Sequence, residues 1–184
     1  MNAIISISTV LKDKISDKLS IFYNDEKDIV ERLYPDKDSH TLENIFYSEP
    51  SHIIDNIYLG NAINACNIDT INLYNFKSII NVTEEIPNYF MDNSINYLKI
   101  HIRDNQNATI KPYINDFIKF IDNNENNNIL IHCYMGVSRS TSLVLYYLIK
   151  KKKYNLENAL TFVNDKRKYI NLNILLYNEL KSII

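Results

Sequence analysis

Residues 128–141 read NILIHCYMGVSRST, and the architecture of the chain turns on them. Asn128 to His132 is a short, nearly all-apolar run, the pattern of a strand buried on both faces. A loop spans 133–139. Beyond it TSLVLYYLI (141–149) is apolar almost all round, as in a buried helix. Outward from this strand–loop–helix unit the same alternation continues. Upstream, Ile110, Tyr113, Ile114, Phe117, Ile118 and Ile121 recur at helical spacing, and the polar tract DNNENNN closes that helix. Strands are predicted over 53–59, ended by Gly60, and over 78–82 and 97–102. Asn61 is placed to cap a short helix through Cys66, and another covers 69–75. Downstream, Leu156, Ala159, Leu160 and Val163 mark one amphipathic helix, and Leu176, Leu180, Ile183 and Ile184 a last one. Strands alternating with helices predict an α/β fold with a central sheet.

The domain starts near Ser51. Before it, Leu11, Ile15, Leu19 and Phe22 form an apolar stripe at near-helical spacing, and a second short pattern at Ile29, Val30, Leu33 and Tyr34 ends at Pro35. Residues 1–48 are therefore read as an N-terminal helical extension, with the polar stretch DKDSHTLEN as a linker. Its stripe needs a surface to bury against: the same domain, a second copy of the chain, or a bound substrate.

Composition narrows the function. With 46% apolar and 23% charged residues, 184 residues suit a globular domain plus an extension. A net charge of −2 argues against a basic grip on nucleic acid. No run of about 18 apolar residues predicts a membrane span. MNAIISISTVLKDKISDK has no positive start before an apolar core, so no signal peptide is expected. Two cysteines make no disulfide framework and read as reduced thiols of an intracellular protein, Cys66 as a core thiol. Asn, Ile, Lys and Tyr are over-used, whereas Gly numbers 2 and Pro 4, a bias that resembles coding from A/T-rich genomes such as those of some viruses and protozoa.

That scarcity makes Gly136, in the middle of the 133–139 loop, informative. A strand entering a tight loop and then a helix turns successive backbone N–H groups inward, and the helix dipole adds positive character. The product is a cradle for a tetrahedral dianion. Gly136 supplies backbone freedom where a Cβ would crowd the turn. Arg139 brings a planar fork able to take two phosphate oxygens. Cys133 sits at the base, where the same field favours its thiolate as a nucleophile. The Ser140 hydroxyl can donate to that sulfur and help it leave. His132 faces the opposite way from Cys133 along the strand, so it is read as orienting the loop through hydrogen bonds. The plainer alternative is a buried structural thiol with a surface arginine. The nucleophile needs an acid for the leaving oxygen. Asp104, just after the strand at 97–102, is the candidate, against the alternative of an ordinary turn aspartate. Asp92 and Asp116 are weaker candidates.

HCYMGVSRS (132–140) resembles the active-site signature of the cysteine-dependent dual-specificity protein phosphatases. Ile57-Tyr58-Leu59-Gly60 is similar to the family's early strand, and Ile79-Ile80-Asn81-Val82-Thr83 to its second apolar strand and turn. Arg167, Ile170, Asn173 and Leu180 fit its tail. Lys168 and Leu172 stand where prolines are usual, and Glu179 where glutamine is usual; these departures are read as lying away from the chemistry. The resemblance implies a mixed, mostly parallel sheet flanked by helices over 49–184. It implies catalysis by Cys133, Arg139, Asp104 and Ser140 through a cysteinyl-phosphate, with the oxygens held by Tyr134, Met135, Gly136, Val137, Ser138 and Arg139 and with no metal and no cofactor. Its implied partners are proteins carrying phosphotyrosine or phosphoserine/threonine, with neither nucleic acid nor membrane. A phosphoprotein-binding pseudophosphatase and an RNA 5′-phosphatase of the same superfamily are the alternatives. Size and extension are similar to the poxviral dual-specificity phosphatases, in which an N-terminal helix can mediate a homodimer. That likeness implies a viral protein of the host cytoplasm or virion. MGVSRS is also similar to the slingshot-type enzymes.

Overall fold

The computed structural model describes residues 44–45, 47–91 and 94–184. The expected extension therefore lies almost wholly outside the described residues, as does Asp92. Five strands form one sheet in the order β1-β2-β5-β3-β4. They are β1 (Ser51–Ile54), β2 (Ile57–Gly60), β3 (Phe76–Asn81), β4 (Asn96–Lys99) and β5 (Asn128–His132). β1 pairs antiparallel with β2, and every other pairing is parallel. The mixed, mostly parallel sheet is the one expected.

The first strand corrects the sequence reading. Residues 53–59 do not form one strand: Asp55 and Asn56 turn the chain into a hairpin that pairs Ile54 with Ile57. Asp55 takes φ +49, which Asp tolerates better than most residues. Asn56 donates from Nδ2 to the carbonyls of Asn124 (3.0 Å) and Asn127 (2.5 Å), pinning the turn to the loop before β5. Gly60 closes β2 from within, paired with His132.

The helices are α1 (Ala62–Cys66), α2 (Ile68–Leu73), α3 (Ile114–Asn123), α4 (Arg139–Lys152), α5 (Leu156–Lys166) and α6 (Ile174–Ile183). Asn61 caps α1 as expected, in a capping box with Asn64. Asn67 caps α2, and a 3₁₀ turn at Lys111–Tyr113, with Pro112 in it, leads into α3. β4 ends at Lys99, earlier than the predicted 97–102. Beyond it Ile102 N–H donates back to the Ile100 carbonyl at 3.0 Å, a tight turn that takes the chain out of the sheet.

β5 is central and buried on both faces. Ile129 and Ile131 join Ile57, Leu59 and Ile80 under the inner residues of α3–α6, while Leu130 packs with Phe76, Ile79, Ala65 and Ile71 on the other side. Sheet and helices cover α4 together, which is why Leu143, Val144, Leu145 and Leu148 are all buried.

Candidate active site

β5 ends at His132, whose sheet neighbours are Gly60 of β2 and Asn81 of β3. Residues 133–138 leave the sheet there, at the carboxyl ends of parallel strands, and enter α4 at Arg139. Open α/β sheets take their ligands at that edge.

The backbone of this loop is tied down one carbonyl at a time. His132 Nδ1 lies 3.2 Å from the Cys133 carbonyl. Ala62 N–H donates to Tyr134 O at 2.9 Å. Arg167 donates from Nη2 to Met135 O (3.1 Å) and from Nε to Gly136 O (2.7 Å). Asn171 N–H donates to Val137 O at 3.0 Å, and Ser142 N–H to Ser138 O at 2.8 Å. In a trans peptide the N–H points opposite to the preceding C=O. With every carbonyl from Cys133 to Ser138 held outward, the N–H groups of Tyr134 to Arg139 turn toward the concave side. Gly136 N–H lies 3.2 Å from Cys133 Sγ. The result is an anion-binding concavity of backbone amides at the start of a 14-residue helix.

The two glycines of the chain meet here. Gly136 sits at φ +70, and a Cβ on it would fall 2.2 Å from the Gly60 carbonyl oxygen. Neither the turn nor the close approach admits a side chain. Gly136→Ala is expected to cost about 3 kcal/mol of stability from strain and overpacking together. The loop distorts with it, so a lowered Tm and a lost response to the phosphate mimic vanadate, read by thermal shift, are the expected results.

Cys133 lies buried at the base, and Ser140 Oγ donates to its sulfur at 3.2 Å. Two donors thus converge on Sγ. Arg139, 1% exposed, turns inward. Its Nη1 donates to Glu85 Oε1 at 2.6 Å and to the Ile102 carbonyl at 3.0 Å, and its Nε stands 3.8 Å from Asp104 Oδ2. The fold therefore gathers Cys133, Gly136, Arg139, Ser140 and Asp104 at one place. The side chains of Tyr134, Met135 and Val137 are buried. Asp116 is exposed on α3, away from the group.

Burial of His132 pushes its imidazole down to about 3, with Lys99 and Arg139 adding to the effect, so it stays neutral at any pH near 7. Lys99, half-buried, is pushed down to about 8, chiefly by burial and partly by Arg139, although Glu85 and Glu84 pull the other way. Its Nζ donates to the Ile86 carbonyl and, at 3.4 Å, to Thr83 Oγ1. Buried Asn81 donates to the same Ile86 carbonyl at 2.8 Å and accepts from Thr83 Oγ1 at 2.7 Å. Asn81, Thr83 and Lys99 thus shape the turn that presents Glu85 to Arg139. Among the described residues no cluster of three or more His, Cys, Asp or Glu could hold a metal ion.

Sequence reasoning missed several residues here. No spacing links Glu85 to an arginine 54 positions on. Arg167 and Asn173 stood in the tail pattern, but nothing local tied them to the loop. Glu179 corrects the reading of its neighbourhood as remote: its carboxylate accepts from Thr109 Oγ1 (2.5 Å) and Ile110 N–H (2.7 Å), on the segment that carries Asp104.

The sequence pattern described as dual specificity phosphatase, catalytic domain, matches residues 57–183. The chain is 33% identical over 128 residues to the dual specificity protein phosphatase Mpk3 of Drosophila melanogaster, covering 68% of this chain and 31% of that protein. It is 35% identical over 118 residues to the protein phosphatase Slingshot homolog of Xenopus laevis, covering 63% and 17%. The chain thus spans about a third or less of the length of these curated relatives. Among solved structures, the crystal structure of DUSP15 superposes with a TM-score of 0.68 at 27% identity, over 72% of this chain and 85% of that one.

Proposed function

We propose, for a chain that belongs to the dual specificity phosphatase catalytic-domain family, that it hydrolyses phosphotyrosine and phosphoserine/threonine in proteins. One observation carries the reading: a buried cysteine sulfur lies under a loop whose carbonyls are all drawn outward, with an inward guanidinium beside it. Such a cradle favours a trigonal-bipyramidal phosphoryl group, whose equatorial oxygens the amides and Arg139 neutralise.

The Cys133 thiolate attacks phosphorus as the ester P–O bond breaks. Protonated Asp104 gives its proton to the leaving oxygen, and the phosphoryl group stays on sulfur. Water then attacks phosphorus, Asp104 takes a proton from it, and the S–P bond breaks to release inorganic phosphate. Ser140 Oγ, already on the sulfur, steadies the departing thiolate. The complete set of nucleophile, guanidinium and acid favours turnover over a binding-only role. Asp104→Asn is expected to lower kcat on a phosphotyrosine peptide by about 10²-fold or more while leaving peptide binding in place. Unchanged turnover would move the acid elsewhere. Metal-dependent hydrolysis, or preference for triphosphate-ended RNA over the peptide, would replace the reading.

The same reading keeps the catalytic domain at 49–184, preceded by an extension at 1–48. The apolar stripe Leu11, Ile15, Leu19 and Phe22 supports a role for that extension in homodimer formation. The composition and the resemblance to the poxviral enzymes support a viral source and action in host cytoplasm or virion. Among the described residues no helix is long and apolar enough to cross a membrane.

A further inference from the structure

We infer that α6 sets the position of the acid, with Asn173 and Glu179 as positioning residues that fasten both ends of the Asp104 loop. The inference rests on the phosphatase reading above and adds to it which residues outside the cradle the proton transfer depends on.

Residues 103–110 have no helix or strand of their own, and Arg103, Gln106 and Asn107 are exposed. Internally the loop holds one turn, in which Ala108 N–H and Asn107 N–H return to Asn105. Arg139 Nε stands 3.8 Å from Asp104 Oδ2 and Ala108 and Ile110 are buried, and two further anchors come from α6 and its cap. At the near end Asn173 Nδ2 donates to Asp104 Oδ1 at 2.9 Å and to the Asn105 carbonyl at 3.3 Å. At the far end Glu179 accepts from Thr109 Oγ1 and from Ile110 N–H. Asn173 does a second thing: its backbone N–H donates to Ser138 Oγ at 3.0 Å. A single residue therefore spans acid loop and phosphate loop and fixes the distance between them. Its Oδ1 also accepts from Leu175 N–H, capping α6, so the orientation of the amide is set by the helix start. A proton donor displaced by about 1 Å can lose most of its effect, so a clamp of this kind acts on the rate without touching substrate.

The chemistry supplies a readout that general loosening would not mimic. Proton donation matters in proportion to the basicity of the leaving oxygen. Phenol, with a pKa of about 10 like that of tyrosine, needs the acid; the far more acidic 4-nitrophenol does not. Asn173→Ser keeps a capping hydroxyl but cannot reach Asp104. Glu179→Ala removes both far-end acceptors, and Thr109→Val removes one donor without altering α6. Each variant of the full chain is assayed for kcat/KM on phenyl phosphate and on 4-nitrophenyl phosphate, with a thermal melt beside it. The expected loss is about tenfold or more on phenyl phosphate and about twofold or less on the nitrophenyl ester, Thr109→Val showing the smallest effect. Glu179→Gln, which still accepts from Ile110 N–H and can donate to Thr109 Oγ1, is expected to stay within about twofold of the parent on both. Equal losses on the two esters, or none, would overturn the clamp and leave the phosphatase reading standing. Hydrolysis of both esters that persists at full rate in Cys133→Ser would remove that reading and the clamp with it.

Discussion

Cys133→Ser is expected to abolish phosphate release, lowering kcat on a phosphotyrosine peptide by about 10⁴-fold or more. A hydroxyl must shed its proton to attack phosphorus and needs a general base to do so. Among the described residues both hydrogen-bonding contacts to that atom come from donors. His132, the adjacent imidazole, has Nδ1 on the Cys133 carbonyl, and burial holds the ring neutral. The donors at the nucleophile, Gly136 N–H and Ser140 Oγ, stabilise an anion rather than accept a proton. The attack therefore calls on a thiol rather than a hydroxyl. The amides and Arg139 are unchanged by the substitution, so the variant is expected to retain a phosphopeptide at or near the parent's affinity, read by calorimetry. Residual turnover within about 100-fold of the parent would mean another nucleophile, and the mechanism would fall.

Arg139→Lys is the second large effect, expected to cost about 10³-fold in kcat/KM. The guanidinium is buried and uses Nη1 to bridge the Glu85 carboxylate and the Ile102 carbonyl. This bridge fixes the plane of the fork before any ligand arrives. An ammonium is a point charge with no second edge, so it can satisfy Glu85 or meet the phosphoryl oxygens, but not both in one plane. Weaker affinity for vanadate is expected alongside. Arg103→Lys is the internal control: that arginine pairs with Glu84 at 2.7 Å on the exposed rim and should change kcat/KM by less than about threefold. Equal losses in the two variants would mean that charge near the site, not the fork, is what counts.

Local rules reach as far as the backbone of the site. The apolar run before Cys133, the buried helix after Arg139 and the placement of Gly136 are all near neighbours, so strand, loop and helix could be read without the rest of the chain. The capping box at Asn61 was legible for the same reason. The Asp55-Asn56 turn was not. Two polar residues inside an apolar run read as an interruption, and only anchorage of Asn56 to Asn124 and Asn127 makes them a reversal. The carbonyl-side holders of the cradle were equally hidden. Arg167 stands 31 residues from Gly136 and reaches it because α5 packs back against α4. Its burial among backbone oxygens has no counterpart in composition or periodicity.

By itself the amino-acid sequence determined the alternation of strands and helices and singled out Cys133 and Arg139 as candidate nucleophile and phosphate fork, because each follows from spacing within one turn or one loop. Tertiary structure alone decided that Glu85 holds Arg139, that Arg167 turns the loop carbonyls outward, and that α6 meets the segment bearing Asp104. Those contacts join positions separated by 31 to 70 residues. Hydrogen bonds of that range need partners brought within about 3 Å, and only the packing of the elements around the sheet does so.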